Sequence, residues 1–514
     1  MSNNPGAAAE TTVVLGPSIA PSAVRSDAKA KAGLTRIVIG NTLAQLVARG
    51  AGIIAGIGTN AILSRHLGPA GFGHYNLAFA YVLLVAGIFA NWGLGNIAVR
   101  DASQNLDQVE PILASAALLQ LLVSSVSYVL LLILTHIFAN GAEDVLVAVA
   151  GVTLLIMPID LLALALQVHL QLARAAWVGI AGSFLTLGAT AVAVMLGAGV
   201  TTIVAVSTGT TIIRYALILL VLRGRLEWRK VRPDFTRLKP LLSDSWPLAI
   251  ATTFGTLVLQ TPIIFLSKLS TDAQLGYFSA AGKISSQLTI VPLLLMTSLY
   301  PLLARLFKED QAALGILLQK SLRYMIVLAL PLAIVGLFVG RWFAQVLFGA
   351  RFTPAGSVLG MLVVQAAILY PAIIVGEALI AMGRQKVNLW LNVGQCIVVI
   401  VGCVLAIPRF GANGSALALV IGTIATAIGG LFVISRHVAL DLRTIIQAIF
   451  LPGTTLIGCL VVLQLFLPLA VVIPLALLAY TILVVATGAV DRKDVALANL
   501  LFKRPSFFSR KIVS

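Results

Sequence analysis

Charged and amide side chains inside long apolar stretches are the features of this chain with the clearest chemical potential. The first such stretch, 36–67, carries Arg49 far from either of its ends. A helix needs about 20 residues to cross a bilayer core, so this stretch is long enough to span a membrane. An unpaired cation near mid-depth is costly there. We therefore expect Arg49 either to pair with a neighbouring group or to meet an anionic ligand.

Five further polar or small residues share a helix face with Arg49. At about 100° per residue the whole set falls within an arc of about 100°. The set is Asn41, Gln45, Arg49, Gly52, Gly56 and Asn60. A helix surrounded by lipid would not keep such a face, so it should line a wet cavity or a protein neighbour. We predict that its four polar members bind substrate. Its two glycines form a GxxxG motif, which either admits a neighbouring helix or keeps a cavity wide.

Two other charged residues lie deep in apolar stretches. Arg214 is about nine residues, or roughly 13 Å, from the end of its span. It is predicted to contact substrate, the alternative being that its side chain reaches the head groups. Asp160, after Pro158, either forms an ion pair with an arginine or takes up protons and couples transport to them.

Three charged residues near span ends are candidates for gating or coupling. Glu377 lies near the inner end of a span, where its carboxylate either reaches the interface or takes part in coupling. Arg100 and Asp101 follow the second apolar stretch. These two residues form a cytoplasmic gate or mark the end of the helix.

The overall composition is that of a polytopic membrane protein. The 514 residues are 59% hydrophobic and 10% charged, and the mean hydropathy is +1.03. We predict an all-α membrane protein with about 14 transmembrane helices. The net charge of +17 does not indicate nucleic-acid binding, because the basic residues lie in short loops between apolar stretches.

The sequence lacks the common motifs for metal, redox and enzyme chemistry. The three cysteines lie in apolar stretches without a CxxC pair or a nearby histidine. Neither a nucleotide-binding GxxxxGK[ST] loop nor a GxSxG nucleophile motif is found. We therefore predict a protein that is not an enzyme and needs no cofactor or metal, with an ion gradient or the membrane potential as a possible energy source.

The distribution of lysine and arginine predicts the orientation. With both termini in the cytoplasm, 27 of the 35 Lys and Arg residues fall inside and 6 fall outside, Lys283 among the latter. Arg49 and Arg214 remain within spans. Such an excess on one side is typical of cytoplasmic loops, so we predict a multi-pass protein with an even number of spans and both ends in the cytoplasm.

The longest loop divides the chain. The predicted order is a disordered cytoplasmic tail, six spans, a basic cytoplasmic loop that touches anionic lipid, six spans, two additional spans and a basic cytoplasmic tail. These segments are 1–35, 36–222, 223–245, 246–436, 437–492 and 493–514. The motifs LGPAGFGHY (67–75) and LSTDAQLGY (269–277) recur at an offset of 202 residues, which indicates parallel repeats.

These motifs carry a resemblance to a known family. Residues 63–103 and 275–305, with Gly71-Phe72-Gly73 and Tyr300-Pro301, resemble the matching parts of Wzx-type polysaccharide flippases. Multidrug exporters of the MATE type and the lipid II flippase belong to the same superfamily. One departure is Leu259-Gln260-Thr261-Pro262, where such proteins often carry an acid.

The resemblance implies a function and partners. It implies two pseudo-symmetric helical bundles around a central cavity. It also implies export of undecaprenyl-pyrophosphate-linked oligosaccharide across the bacterial inner membrane by alternating access between these bundles. The partners would be this lipid-linked oligosaccharide, membrane lipids and a polysaccharide polymerase with its co-polymerase, and the protein would be a monomer. Three alternatives stay open: a MATE-type small-molecule antiporter, a lipid II flippase, and a membrane polymerase, which the short outer connections disfavour.

Overall fold

The structure is a computed structural model that describes 21–90, 92–138, 141–224, 226–438, 453–458, 460–462 and 469–486. The predicted tail 493–514 and most of a predicted span at 445–467 lie outside these residues. Every regular element within them is helical.

The first helix, α1, runs from Pro21 to Val85 and breaks at Gly68, where φ is 67° and ψ is −178°. The residue before a proline is driven out of the helical region, and glycine tolerates a positive φ. Gly68-Pro69 therefore divides α1 into arms 21–67 and 69–85. The helix begins within the segment 1–35 that the sequence assigned to a disordered tail; this stretch is rich in Ala and Lys, which favour helix.

The rest of the first bundle follows α1 through a π-helix, Ala86–Ala90. Its helices are α2 (Leu94–Gln104), α3 (Val109–Phe138), α4 (Gly141–Ile156), α5 (Pro158–Ala163), α6 (Ala165–Val168), α7 (Leu172–Met195) and α8 (Val200–Arg223). The predicted fourth span is broken before Pro158, because proline cannot donate the backbone hydrogen bond that would continue α4.

The second bundle begins after the basic loop. Its helices are α9 (Leu238–Leu269), α10 (Asp272–Leu288), α11 (Ile290–Glu309), α12 (Gln311–Phe348), α13 (Ala355–Ala381), α14 (Gln385–Phe410) and α15 (Ala412–Ser435). A short helical segment lies at 453–458 and 460–462, and α16 spans Leu469–Ala486.

Ten of the described helices are long and apolar enough to cross a membrane, with Gly40–Ala90 counted as one. This single helix corresponds to two of the predicted spans, because α1 breaks at Gly68 into two arms. The predicted total of about 14 stays a prediction.

The helices meet at two ends that differ in packing. At the first, which we call the Gly68 end, the ring of His66 bonds the carbonyl of Ala198 at 2.9 Å, and the side chain of Gln274 accepts from the amide of Ala412 at 3.0 Å. The connections α7–α8, α9–α10 and α14–α15 therefore lie beside the break in α1. The opposite end carries the basic connection between α8 and α9, and we call it the basic end. This connection is shorter than the predicted loop 223–245, because α9 already begins at Leu238.

One apolar core joins the two bundles at the Gly68 end. Phe72 of α1 is fully buried and lies edge-on to Phe352 with ring centroids 5.9 Å apart. Nearer the basic end, α11, α12 and α13 form a cluster from second-bundle residues alone. A separate cluster joins first-bundle residues with Leu241 of α9. The two bundles thus share a core at one end and keep largely separate cores at the other.

Candidate functional site

A polar cavity of about 300 Å³ lies between α1 of the first bundle and α10 and α12 of the second. Its lining is Arg49, Gly52, Ile53, Gly56, Ile57, Asn60, Lys283, Ile284, Gln287, Leu347 and Phe348. We call it the Arg49 cavity. Four of the six residues on the predicted polar face of α1 belong to this lining.

Two cations face the Arg49 cavity from opposite bundles. The side chains of Arg49 and Lys283 are both exposed to it. Among the described residues, every ion pair within 4.0 Å involves other groups. The alternative that Arg49 pairs with an acid such as Asp160 is therefore absent from these pairs. Two cations without an acid beside them form a site suited to an anion.

The position of Lys283 corrects the sequence analysis, which placed it in an outer loop. It lies eleven residues after the first residue of α10, Asp272. This is roughly 16 Å along the helix by the rise per residue. The predicted span began only at 285, because the small and polar residues before it lowered the local hydropathy. A span begun at Asp272 would have placed Lys283 inside it, under the same argument as Arg49.

The glycines of α1 explain how Arg49 gains space. A Cβ atom on Gly56 would meet nothing within 4 Å, whereas one on Gly52 would lie 3.7 Å from the Ser183 hydroxyl oxygen of α7. Of the two interpretations of the GxxxG motif, open space applies at Gly56 and helix contact at Gly52. Asn60 is half-buried in the cavity wall, and its amide donates to the carbonyl of Gly56 at 2.7 Å.

Asn41 and Gln45 lie outside this lining. The amide of Asn41 donates to the carbonyl of Leu170 at 2.5 Å and accepts from the amide of Ala173 at 3.0 Å. These bonds hold the α6–α7 connection, where Leu170 has a positive φ of 55°. Asn41 therefore positions the α6–α7 connection and does not line the cavity, because its side of α1 faces α7. Gln45 is exposed and donates to the carbonyl of Asn41 at 3.4 Å.

Asp160 and Arg214 meet within the first bundle, away from the Arg49 cavity. The hydroxyl of Tyr215 donates to the Asp160 carboxylate at 2.5 Å. The guanidinium of Arg214 lies over the ring of Tyr215, 4.9 Å from its centroid. Gly182 makes room for the Arg214 stem, since a Cβ there would lie 2.8 Å from it. The tyrosine that links the predicted acid and cation was missed by the sequence analysis.

Glu377 lines a cavity of its own inside the second bundle. This space of about 210 Å³ lies among α11, α13, α14 and α15. Its polar lining is Glu377, Asn388, Asn392, Gln395 and Thr426. A carboxylate beside amides and a hydroxyl can hold a proton or a hydrated cation. The structure does not bring Glu377 to Arg49.

Arg100 and Asp101 lie at the basic end, and Arg100 also reaches across to the second bundle. Its guanidinium donates to Asp101 at 2.8 Å and to Asp244 of α9 at 3.1 Å. Asp244 was missed because the sequence analysis placed it within the basic loop 223–245, whereas it lies in α9, and its proximity to α2 depends on how α9 packs.

An apolar groove of about 420 Å³ adjoins the Arg49 cavity, and Ile284 lines both. Its walls come from α10, α12, α13 and Leu477 of α16. Tyr480 ties α16 to α12 by donating to the carbonyl of Val327 at 2.6 Å. A polar, cationic space therefore lies directly beside an apolar one.

The two repeat motifs close the Gly68 end. A Cβ atom on Gly276 would lie 1.9 Å from the carbonyl oxygen of Pro69, and one on Gly73 would lie 2.9 Å from that of Asp272. Only glycine allows backbones this close. The predicted motifs 67–75 and 269–277 thus pack against each other.

These features define a multi-pass membrane protein with a transporter fold. The family model described as "Polysaccharide biosynthesis protein" matches residues 38–307, slightly more than half of the chain. The chain therefore belongs to this polysaccharide biosynthesis family. It is 24% identical over 201 residues to "Capsular polysaccharide biosynthesis protein CapF" of Staphylococcus aureus, covering 37% of this chain and 48% of that one. The match thus spans about half the length of this relative.

Solved structures share the fold. "Lipid II flippase MurJ, inward closed conformation" aligns with a TM-score of 0.70 at 13% identity, covering 86% of this chain and 97% of that chain. An inward-facing multidrug resistance MATE family transporter aligns with a TM-score of 0.60 at 16% identity, covering 77% and 97%. A MOP superfamily transporter from Pyrococcus furiosus, whose title reports a binding pocket of reverse polarity, aligns at 0.55 and 14%, covering 78% and 95%.

Proposed function

We propose that the protein flips undecaprenyl-pyrophosphate-linked oligosaccharide repeat units across the bacterial inner membrane for surface polysaccharide biosynthesis. The observation that carries this proposal is that two cations, Arg49 and Lys283, face one cavity from opposite bundles and form no ion pair with the residues that the structure describes. A pyrophosphate needs such charges once it leaves water. Since each bundle supplies one cation, a relative movement of the bundles would change the distance between the two cations and so the strength of anion binding.

The adjoining apolar groove supports a lipid-linked substrate over a small soluble one. A polyprenyl chain is apolar throughout, whereas its pyrophosphate and sugars are polar. The shared wall at Ile284 would let one molecule place its head in the Arg49 cavity and the start of its tail in the groove. The names of the family and of the S. aureus relative support the polysaccharide context.

We propose alternating access with both termini in the cytoplasm. The basic end then faces the cytoplasm, in agreement with the excess of Lys and Arg. Arg100, Asp101 and Asp244 form the inner gate, and the packed repeat motifs form the outer closure. The protein acts as a monomer and hands its product to the polymerase and co-polymerase.

Energy coupling is assigned to the two intramembrane acids. Asp160, hydrogen-bonded to Tyr215, and Glu377, in its amide-lined cavity, are the proposed sites for a coupling proton or cation. Asp160→Asn is expected to weaken the dependence of export on pH, measured in vesicles with an imposed gradient. Unchanged pH dependence would give Asp160 a structural role.

The test of the function is mass spectrometry of the lipid fraction from a deletion strain. We expect complete polyprenyl-pyrophosphate repeat units to accumulate on the cytoplasmic face. Accumulation of lipid II would instead favour the lipid II flippase. Absence of any such lipid, together with new sensitivity to cationic drugs, would favour the MATE-type antiporter.

A further inference from the structure

Four ionisable side chains meet across the two bundles at the Gly68 end. The two imidazole nitrogens of His74 face two carboxylates: Nε2 lies 3.2 Å from Asp272 Oδ2, and Nδ1 lies 4.0 Å from Glu143 Oε1. Lys268 Nζ lies 3.6 Å from the other oxygen of Glu143. His74 and Glu143 belong to the first bundle, on α1 and α4. Lys268 and Asp272 belong to the second, on α9 and α10.

Two of these contacts cross between the bundles. They are His74–Asp272 and Lys268–Glu143. Both acids lie in the first turn of their helices, α4 and α10, where the helix dipole stabilises negative charge. The two carboxylates face one lysine and one histidine, so the charge on the histidine decides the charge balance of the cluster.

We propose that His74 is a proton-operated lock on the Gly68 end. An imidazolium has two N–H donors and can serve both carboxylates, whereas a neutral imidazole has one. With His74 protonated, two cations balance two anions. With His74 neutral, the cluster carries one uncompensated negative charge, and the attraction between α1 and α10 is weakened.

The direction of the effect follows from linkage. Closure at the Gly68 end brings His74 to Asp272, so an imidazolium at this position attracts the second bundle, and a neutral imidazole attracts it less. Acid on this side therefore favours closure and alkali favours opening. Histidine is the side chain that ordinarily changes charge between about pH 5 and 8.

The other charged groups near His74 are Asp144, Arg351 and Lys268, and none of them changes the assignment of the pH response to His74. Asp144 lies 3.5 Å from His136 Nδ1, and both belong to the first bundle. Arg351 approaches α1 at Gly68, six residues before His74; its Nη1 would be 3.7 Å from a Cβ there. Lys268 is the cation that opposes protonation of His74, and it shares Glu143 with it.

His136 supplies a matched control. It is a histidine paired with an acid at the same end, yet its pair joins α3 to α4 within one bundle. Its side chain is 85% exposed, so its replacement disturbs no packing. If protonation acts on closure through the contact between bundles, only His74 should matter.

The experiment measures the distance between the bundles as pH changes. The full chain, with its three native cysteines replaced by Ala, carries spin labels at Leu196→Cys and Phe410→Cys, both exposed positions near the Gly68 end. Distances are measured by electron spin resonance in nanodiscs at about pH 5.5 and about pH 8.5, on either side of the usual histidine titration. No substrate is required, so failure of this proposal is distinguishable from failure of the proposed function.

We expect the ratio of long to short distances to rise about twofold to fivefold from the acid to the alkaline condition, as for the loss of one partly exposed ion pair. His74→Gln should abolish this rise, and His136→Gln should keep it. Asp272→Asn, which leaves the imidazole in place, should also abolish it, and it serves if His74→Gln fails to fold. A distance ratio that does not respond to pH in the parent protein, or a full response in His74→Gln or Asp272→Asn, would overturn the proposal.

Discussion

The Gly68 end and the basic end of the same two bundles are held together in different ways. At the Gly68 end, backbones touch at Pro69 and Gly276, aromatic rings interlock around Phe72, and ion pairs cross between bundles. At the basic end, the bundles keep largely separate cores, and Arg100 bridges them through one exposed ion pair with Asp244. The structure is thus closed by backbone and aromatic packing with ion pairs beside it at the Gly68 end. At the basic end it is held by an exposed salt bridge and by the packing of Leu241 against the first bundle.

This contrast explains where the Arg49 cavity lies. Phe348 belongs both to the lining of the cavity and to the shared aromatic core. The cavity therefore begins where the shared core stops. Movement that opened the Gly68 end would have to separate buried rings and backbones. Opening the basic end would break the ion pair of Arg100 with Asp244, which has a low net value, and the contacts of Leu241 with the first bundle.

The largest expected effect comes from Gly276→Ala. The added Cβ would lie 1.9 Å from the Pro69 carbonyl oxygen, a backbone atom that no side-chain rotation can move. We expect the closed Gly68 end to be lost, with long Leu196→Cys to Phe410→Cys distances at every pH and export falling to background.

The matched control for this change is Gly282→Ala on the same helix, where a Cβ would meet nothing within 4 Å. It should keep the parent distances and export. Parent-like closure in Gly276→Ala would show that backbone contact does not hold this end.

The next effect concerns the cations of the Arg49 cavity. Arg49→Ala and Lys283→Ala should each lower export of the lipid-linked oligosaccharide by about tenfold or more, since each removes a charged hydrogen-bond donor. Protein levels in the membrane should not change. Arg49→Lys should retain part of the activity, because the charge remains without the bidentate geometry.

Arg409→Ala is the control, because this exposed arginine near the end of α14 lies outside the cavity lining. Its export should match the parent. Full export by both Arg49→Ala and Lys283→Ala would remove the cavity from the mechanism.

The smallest effect is expected from Arg100→Gln. The ion pair with Asp244 is about half exposed on both sides, so its loss should change the balance between conformations by less than about fivefold. We expect faster labelling of Gln287→Cys by a thiol reagent added on the cytoplasmic side.

Glu309→Gln provides the comparison, because it breaks the 2.8 Å pair with Arg305 inside the single helix α11. Its labelling rate should equal that of the parent. An equal increase in both variants would mean that surface charge, and not the link between bundles, governs access.

The sequence by itself determined the helical class and the strongest candidate residue. Long apolar stretches with few charges fold as helices in a bilayer, because backbone groups must be satisfied within the segment. Helical periodicity puts the six polar or small residues around Arg49 on one face, and four of the six line a cavity. The LGPAG motif likewise marks the break at Gly68, since Gly68-Pro69 limits the backbone there.

Only the tertiary structure decided which of these residues act together. Lys283 lines the same cavity as Arg49. Tyr215 donates a hydrogen bond to Asp160, and Asp244 forms an ion pair with Arg100. Asn41 instead turned to the α6–α7 connection. Helical periodicity assigns a side chain to a face, but which neighbour covers that face depends on contacts between segments distant in sequence. For this reason the chemistry of single residues could be predicted from the sequence, whereas the residues that they contact could not.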